Sequence, residues 1–118
     1  KVSAPFHCSL MKPAAEIMKK KIDKVKFYDP IFEIINNVTA KVEKNSDIIK
    51  DLLINQIYST VRWRESLINM EVAGVKNFIE VGPGKALIGM VKRTIKNSNC
   101  FSINSIADIK NIENEFKK

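Results

Sequence analysis

Histidine occurs once in the 118 residues, at position 7, between two prolines. Pro13 is suited to open a helix, because the N–H that proline lacks would be unpaired in a first helical turn. His7 is therefore predicted to lie in a loop between Pro5 and that helix. Imidazole is the side chain whose ordinary pKa allows it to accept and return a proton near neutral pH. Two interpretations follow: a general acid–base residue, or the more common hydrogen-bonded structural histidine.

A nucleophile to accompany this histidine is harder to find. Cys8 adjoins His7, but adjacent residues rarely meet in attacking geometry, so we interpret Cys8 as a packing residue, with a role in shaping a pocket as the alternative. The four glycines nowhere bracket a serine, so the chain has no G-x-S-x-G turn. Cys8 and Cys100 lie far apart without C-x-x-C spacing, which predicts neither a disulfide framework nor a metal site and favours a reducing, cytoplasmic setting.

The stretch Gly82-Pro83-Gly84-Lys85 invites comparison with phosphate-binding loops. The Walker pattern requires a glycine five residues before its Gly-Lys pair and a hydroxyl residue after it, where this chain has Ile79 and Ala86. The dinucleotide fingerprint fails as well, because Leu87 stands in place of its third glycine. We predict a tight turn from a strand into a helix, with an anion at the helix N-terminus as the alternative.

Hydrophobic periodicity predicts helices alternating with strands. Apolar residues spaced by three and four predict helices over about 13–24, 46–58 and 62–73. They also predict a helix that carries Leu87, Ile88, Val91 and Ile95 and a last helix that follows Ser105. Apolar and β-branched runs predict strands at 31–35, 78–81 and 100–103. This alternation favours an α/β architecture with parallel strands joined by right-handed crossovers.

Local signals refine three of these elements. The run 31–35 is nearly continuously apolar, which is typical of a strand covered on both faces, and residues 41–45 are predicted to form a polar loop. Ser46 and Ser105 are predicted to be helix N-caps. The buried side of the last helix is expected to consist of four apolar residues: Ile106, Ile109, Ile112 and Phe116.

Several motifs recur together in one known family. The run Pro-Phe-His-Cys-Ser-Leu-Met-Lys-Pro-Ala-Ala at 5–15 resembles the histidine loop of malonyl-CoA:acyl carrier protein transacylases, which load malonyl groups for fatty-acid synthesis. Later motifs follow in the family's order and at similar spacing: Asn36–Thr39, Gln56–Tyr58, Val61–Trp63 and Glu80–Lys85. The resemblance runs from Val2 to about Arg93 and covers only the C-terminal part of such an enzyme. We therefore expect residues 1–118 to be an incomplete domain.

The resemblance implies roles for three residues. His7 matches the catalytic histidine, and Gln56 matches the residue whose main-chain carbonyl orients it. Phe6 is a candidate for the substrate pocket, because related acyltransferase domains tend to place Phe there for malonyl selection and Ser for methylmalonyl. The family's nucleophilic serine, its malonyl-binding arginine and much of its oxyanion hole precede the histidine and are absent from this chain. The isolated chain is therefore expected to be inactive, and neither a metal nor a cofactor beyond the substrate malonyl-CoA is implied.

The implied fold is an α/β-hydrolase-like large subdomain with a small ferredoxin-like subdomain inserted before the histidine. This chain would be the C-terminal portion of the large subdomain, which would leave a sheet edge and apolar helix faces uncovered. We expect it to be stable only beside the missing N-terminal part or as a dimer. The implied partners are an acyl carrier protein, a coenzyme A thioester and that N-terminal part. The alternative is a non-catalytic α/β module that docks an acyl carrier protein.

The net charge of +7, from 20 Lys and Arg against 13 Asp and Glu, also suits an anionic partner. Nucleic acid is one candidate, but no recognisable reading helix or aromatic platform accompanies the charge, so we do not predict nucleic-acid binding. Abundant Lys, Ile and Asn with little Arg equally fits a compositional bias. No apolar run approaches the roughly 20 residues of a membrane span, so we predict no membrane association.

Overall fold

The structure is a computed structural model that describes residues 5–116. The chain divides into two compact units, Lys1–Ser66 and Leu67–Lys118. The first contains a 3-10 turn (Ser9–Met11), α1 (Lys12–Ile22), β1 (Ile34–Ile35), β2 (Val42–Glu43), α2 (Ser46–Asn55) and the start of α3 (Trp63–Val72). The second holds the rest of α3, then β3 (Asn77–Val81), α4 (Ala86–Thr94), β4 (Asn99–Ile103) and α5 (Ile106–Phe116).

The core of the first unit lies where α1 and α2 pack together. Ala15 of α1 is buried, and α2 buries three aliphatic residues: Ile49, Leu52 and Ile54. The predicted N-cap of α2 is wrong by one position, because the side chain of Asn45 rather than Ser46 accepts the free N–H groups of the first turn. The helix also ends at Asn55, three residues before the predicted end.

The prediction of a doubly covered strand at 31–35 is wrong. Only Ile34 and Ile35 are in strand conformation, and they pair antiparallel with β2, inside the stretch predicted to be a loop. Ile31 and Phe32 are 94% and 81% exposed. Near-continuous hydrophobicity predicts that a strand is covered but not which segment covers it. Nothing within residues 5–116 buries these two side chains.

The second unit contains the parallel strand pair that the alternating pattern predicts. β3 and β4 run parallel, from the pair Asn77 and Asn99 to the pair Val81 and Ile103. α4 connects them and contacts both strands. It buries Ile88 and Val91, and Ile95 follows directly after the helix, 2% exposed. The mixed α/β class with a parallel strand pair is therefore confirmed.

The turn from β3 into α4 is closed by side chains of this chain. Gly82 and Gly84 have φ values of 132° and 99°, which favour glycine. The Glu80 carboxylate accepts hydrogen bonds from the backbone N–H groups of Leu87 and Ile88, at 3.2 and 2.9 Å. A carboxylate thus already satisfies the positive end of α4, which favours the structural turn over an anion site.

The last helix departs from its prediction in two ways. Ser105 precedes α5, but its hydroxyl donates to the Asp108 carboxylate, which also accepts the N–H groups of Asn104 and Ser105. Ile106 and Phe116 are 78% and 53% exposed, so the predicted buried side is wrong within the described chain. On that side the helix still contacts β4, and the ring centroids of Phe116 and Phe101 lie 5.4 Å apart.

Asp29 provides a test of how the loop before β1 is fixed. Its carboxylate accepts a hydrogen bond from the Ser46 backbone N–H at 2.8 Å. That bond has the largest effect on the pKa of Asp29, and a bond with the Ser46 side chain has the second largest. Both lower the pKa below its ordinary value. A lowered folded pKa contributes stability that is fully present above the ordinary value, about pH 4, and is lost as the pH falls through the folded value.

We predict that Asp29→Asn lowers the free energy of unfolding at pH 7, because an amide oxygen accepts a weaker bond than a carboxylate. The difference from wild type should shrink toward zero as the pH falls below about 4. Urea unfolding between pH 3 and pH 7 measures it. Asp51→Asn, within α2, controls for the loss of one negative charge. A difference that stays constant with pH contradicts the linkage.

Glu80 provides a second test. Glu80→Ala leaves two N–H groups of α4 without their acceptor and is expected to lower the free energy of unfolding by about 1–2 kcal/mol. Glu80→Gln retains an oxygen acceptor and should lose less. Urea unfolding of both variants measures the difference, with Glu71→Ala, an exposed carboxylate in the last part of α3, as the control. Equal stability of Glu80→Ala and wild type rules out the capping role.

Candidate active site

The loop that carries the histidine is held in an unusual backbone conformation. His7 has a φ of 55°, in the left-handed region that residues other than glycine rarely adopt. On its C-terminal side, Cys8 is extended, and its carbonyl accepts a hydrogen bond from the Met11 N–H at 3.0 Å. The Cys8 thiol donates to the Pro5 carbonyl at 3.2 Å. Such strained positions concentrate at functional sites, where the surrounding structure enforces them.

The imidazole is fixed by the end of α2. A helix C-terminus leaves backbone carbonyls without an N–H partner from the helix itself. The carbonyls of the two residues before Gln56 are bonded, at 3.3 Å each, by the N–H groups of the two residues after it. The Gln56 carbonyl instead lies 3.0 Å from Nδ1 of His7, across 49 residues of sequence. The backbone oxygen, not the Gln56 side chain, makes this contact.

This contact determines the chemistry available to the ring. A carbonyl oxygen can only accept, so Nδ1 must carry the proton, and in the neutral ring Nε2 is then a hydrogen-bond and proton acceptor. His7 is exposed, and within residues 5–116 the Gln56 carbonyl is its one recorded hydrogen-bond partner. The hydrogen bond therefore orients the ring and leaves Nε2 available to accept a proton. The ring can serve a hydroxyl or thiol brought from elsewhere.

The neighbours of His7 supply no such nucleophile. The Cys8 thiol is directed at the Pro5 carbonyl, which supports its interpretation as a packing residue. No hydrogen bond joins His7 to Cys8 or Ser9 in the described part of the chain. Phe6 lies beside His7 in sequence and is 58% exposed, so its ring is available to contact a substrate or a further protein segment. Its role in a pocket remains a prediction.

An open groove of about 520 Å³ lies between α1 and α2. Lysines and carboxylates both line it, so its charge favours no single class of ion. The full set of lining residues is Lys12, Ala15, Glu16, Lys19, Asp51, Ile54, Asn55 and Tyr58. The sequence did not predict this groove. It also did not predict the hydrogen bond between Tyr58 and Asn55, although their spacing of three residues at a helix end is compatible with one.

No three side chains among histidine, cysteine, aspartate and glutamate come together as a metal centre requires between residues 5 and 116. In the same range, no helix combines the length and apolar character needed to span a bilayer.

Comparison with known proteins gives consistent matches. No protein-family model matches the chain. The malonyl CoA-acyl carrier protein transacylase of Escherichia coli K12 is 42% identical over 103 residues, covering 87% of this chain and 33% of that protein. The crystal structure of an acyl carrier protein S-malonyltransferase from Vibrio cholerae matches with a TM-score of 0.88 and 42% identity, over 95% of this chain and 37% of that one.

A third match is a malonyl-transacylase solved in complex with its type II PKS acyl-carrier protein. It matches with a TM-score of 0.85 and 37% identity, over 96% of this chain and 37% of that one. The chain thus spans about a third of the length of the relatives it matches. Within that third, the similarity extends over 87–96% of this chain. By this similarity, the chain is homologous to about a third of the length of the malonyl CoA-acyl carrier protein transacylases.

Proposed function

We propose that this chain is part of an enzyme that transfers a malonyl group from coenzyme A to the phosphopantetheine thiol of an acyl carrier protein in fatty-acid biosynthesis. The observation that carries the proposal is the 3.0 Å contact between His7 Nδ1 and the Gln56 carbonyl. It leaves Nε2 as the proton acceptor that acyl transfer requires. Homology to malonyl CoA-acyl carrier protein transacylases supplies the substrate class.

The proposed mechanism has two half-reactions. In the first, Nε2 of His7 takes the proton of a serine hydroxyl as its oxygen attacks the malonyl thioester, and returns that proton to the departing coenzyme A thiol. In the second, Nε2 deprotonates the phosphopantetheine thiol, whose sulfur attacks the malonyl-serine ester, and the proton goes back to the serine oxygen. The serine belongs to a part of the enzyme outside this chain. No metal or cofactor takes part in either half-reaction.

The orienting group is a backbone carbonyl rather than the carboxylate of a Ser-His-Asp triad. A carbonyl fixes the tautomer as a carboxylate does, and it keeps its hydrogen bond when the ring becomes imidazolium, because both ring nitrogens then donate. It brings no full negative charge. Its position at the C-terminal end of α2 adds the partial negative charge of the helix dipole.

The exposed apolar side chains of the first unit support the interpretation that the chain is part of a larger domain. Ile31 and Phe32 are 94% and 81% exposed, whereas side chains of this size are usually at least partly covered. We propose that a preceding segment covers them, supplies the serine and the malonyl-binding arginine, and completes an α/β-hydrolase-like large subdomain. The acyl carrier protein is the proposed partner of the complete enzyme, which is expected to act in the cytoplasm.

His7 and Gln56 should differ sharply on substitution in the complete enzyme. His7→Ala removes the base and is expected to slow malonyl transfer by about 10²–10⁴-fold. Gln56→Ala keeps the backbone carbonyl and should cost less than about tenfold. Rates of carrier-protein malonylation measure both. Near-equal losses contradict the assignment of the carbonyl as the orienting group.

The position of the acyl intermediate tests the proposed nucleophile. The complete enzyme is incubated with malonyl-CoA, denatured and weighed by intact-mass spectrometry, and peptide mapping then locates the added group. One malonyl unit on a serine outside residues 1–118 is the expected result. A malonyl unit on Cys8 or Ser9 overturns the assignment, and the absence of any acyl-enzyme overturns the two-step mechanism.

Phe6 is expected to influence acyl selection. Phe6→Ser opens space beside His7 for an additional methyl group and should raise the ratio of methylmalonyl to malonyl kcat/KM by on the order of tenfold. Initial rates with the two coenzyme A thioesters measure this ratio. Leu10→Ser, in the following turn and 70% exposed, is the matched control. An unchanged ratio removes Phe6 from the substrate pocket.

A further inference from the structure

We propose that Tyr58 is a positioning residue that holds the Gln56 carbonyl in line with His7. The proposal rests on the proposed function, since it concerns the same histidine. Its basis is the hydrogen bond from the Tyr58 hydroxyl to Oδ1 of Asn55, at 2.6 Å. Tyr58 does not contact reacting atoms in this role; it acts through the turn that carries Gln56.

Two hydrogen bonds between Asn55 and Tyr58 close the turn that contains Gln56. The Tyr58 N–H donates to the Asn55 backbone oxygen at 3.3 Å, and the phenol donates to the amide of the same residue. Gln56 and one further residue form the loop that these bonds close. The orientation of the Gln56 carbonyl therefore depends on how firmly this short loop is held.

Gln56 itself is held by its N–H, which donates to the Leu52 carbonyl at 2.9 Å, but the backbone bonds beyond it are longer. The two N–H to carbonyl distances after α2 are both 3.3 Å, beyond the usual range for such bonds. The phenol bond, at 2.6 Å, is the shorter restraint and is partly buried. Helix ends fray when their last carbonyls lack firm partners. The tyrosine side chain thus adds the shortest hydrogen bond to the turn that follows Gln56.

The Tyr58 ring also lies close to the start of α1, the helix that follows the histidine loop. The Lys12 ammonium lies 5.9 Å from the centroid of the Tyr58 ring, within range of a cation–π interaction. Lys12 is the first residue of α1 and follows the histidine loop directly. Tyr58 therefore links the helix that begins after His7 to the helix end that supplies its carbonyl partner.

Removal of the hydroxyl tests this positioning role in the complete enzyme. Tyr58→Phe keeps the ring but releases Asn55, and is expected to lower kcat roughly three- to tenfold with KM for malonyl-CoA changed less than about twofold. Tyr28→Phe is the matched control. Tyr28 likewise lies under a lysine, with Lys26 Nζ 5.0 Å from its ring centroid, but its hydroxyl has no recorded partner in residues 5–116.

The tautomer of His7 separates positioning from a general structural effect. In the ¹⁵N-histidine-labelled enzyme, the His7 signals are assigned by their loss in His7→Gln. Wild type and Tyr28→Phe should show the Nδ1–H form, whereas Tyr58→Phe should show a mixture with the Nε2–H form. An unchanged His7 tautomer in Tyr58→Phe, or an equal loss of kcat in Tyr28→Phe, overturns the positioning role.

Asn55 supplies an independent pair of variants if Tyr58→Phe does not fold. Asn55→Ala removes the acceptor and should reproduce the loss of kcat, while Asn55→Asp keeps an acceptor oxygen and should restore most of it. Where both single variants fold, Tyr58→Phe with Asn55→Ala should be no worse than either alone. Full additivity, or no rescue by aspartate, contradicts the positioning role. Full activity of His7→Gln overturns the proposed function instead, and leaves the tautomer test of Tyr58 standing.

Discussion

The hydrogen bond between the His7 ring and the Gln56 carbonyl is the constraint on which the site depends. It joins a loop before α1 to the end of α2, across 49 residues. The packing of α1 on α2 brings the two ends together, and the carbonyl is free to accept because it lies at a helix terminus. A backbone oxygen of this kind cannot be removed by substitution of its own side chain. Its orientation depends instead on the residues that fix the helix end.

The left-handed backbone at His7 is part of the same constraint. A φ of 55° is unfavourable for histidine and persists only where neighbouring contacts enforce it. The Cys8 thiol bonded to Pro5 and the turn that follows provide those contacts on the loop side. The ring is therefore oriented from two directions, by the strained loop beneath it and by the helix end beside it.

Side-chain capping fixes the remaining elements. Asn45 caps α2, and Glu80 caps α4 from the adjacent strand, while Asp108 binds the N–H groups that precede α5. Asn104 extends this network, since its side-chain oxygen accepts the Gly84 N–H at 2.9 Å. The glycine-rich turn is therefore held by the protein's own polar groups. Its composition, which invites comparison with nucleotide-binding loops, has a local structural cause.

Local features of the sequence determined much of this structure. Periodicity located the helices within a few residues and the parallel strands at 78–81 and 100–103, because helix and strand place apolar side chains at different spacings. The resemblance singled out His7 and Gln56 before any contact was visible. The choice of cap at Asn45 rather than Ser46 was not predictable, since both residue types cap helices well.

Only the tertiary structure decided the features that depend on residues distant in the chain. The short antiparallel pairing of Ile34 and Ile35, and the exposure of Phe32, follow from which segments are present to cover them. The distance between His7 Nδ1 and the Gln56 carbonyl, and the bond from Tyr58 to Asn55, depend on how α1 and α2 pack and where α2 ends. By itself, the sequence determined the positions of the helices, of the parallel strands and of the one imidazole, because side-chain type and local periodicity are local properties. Their geometry required the fold, because a hydrogen bond between separate elements exists only once packing has brought them within about 3 Å of each other.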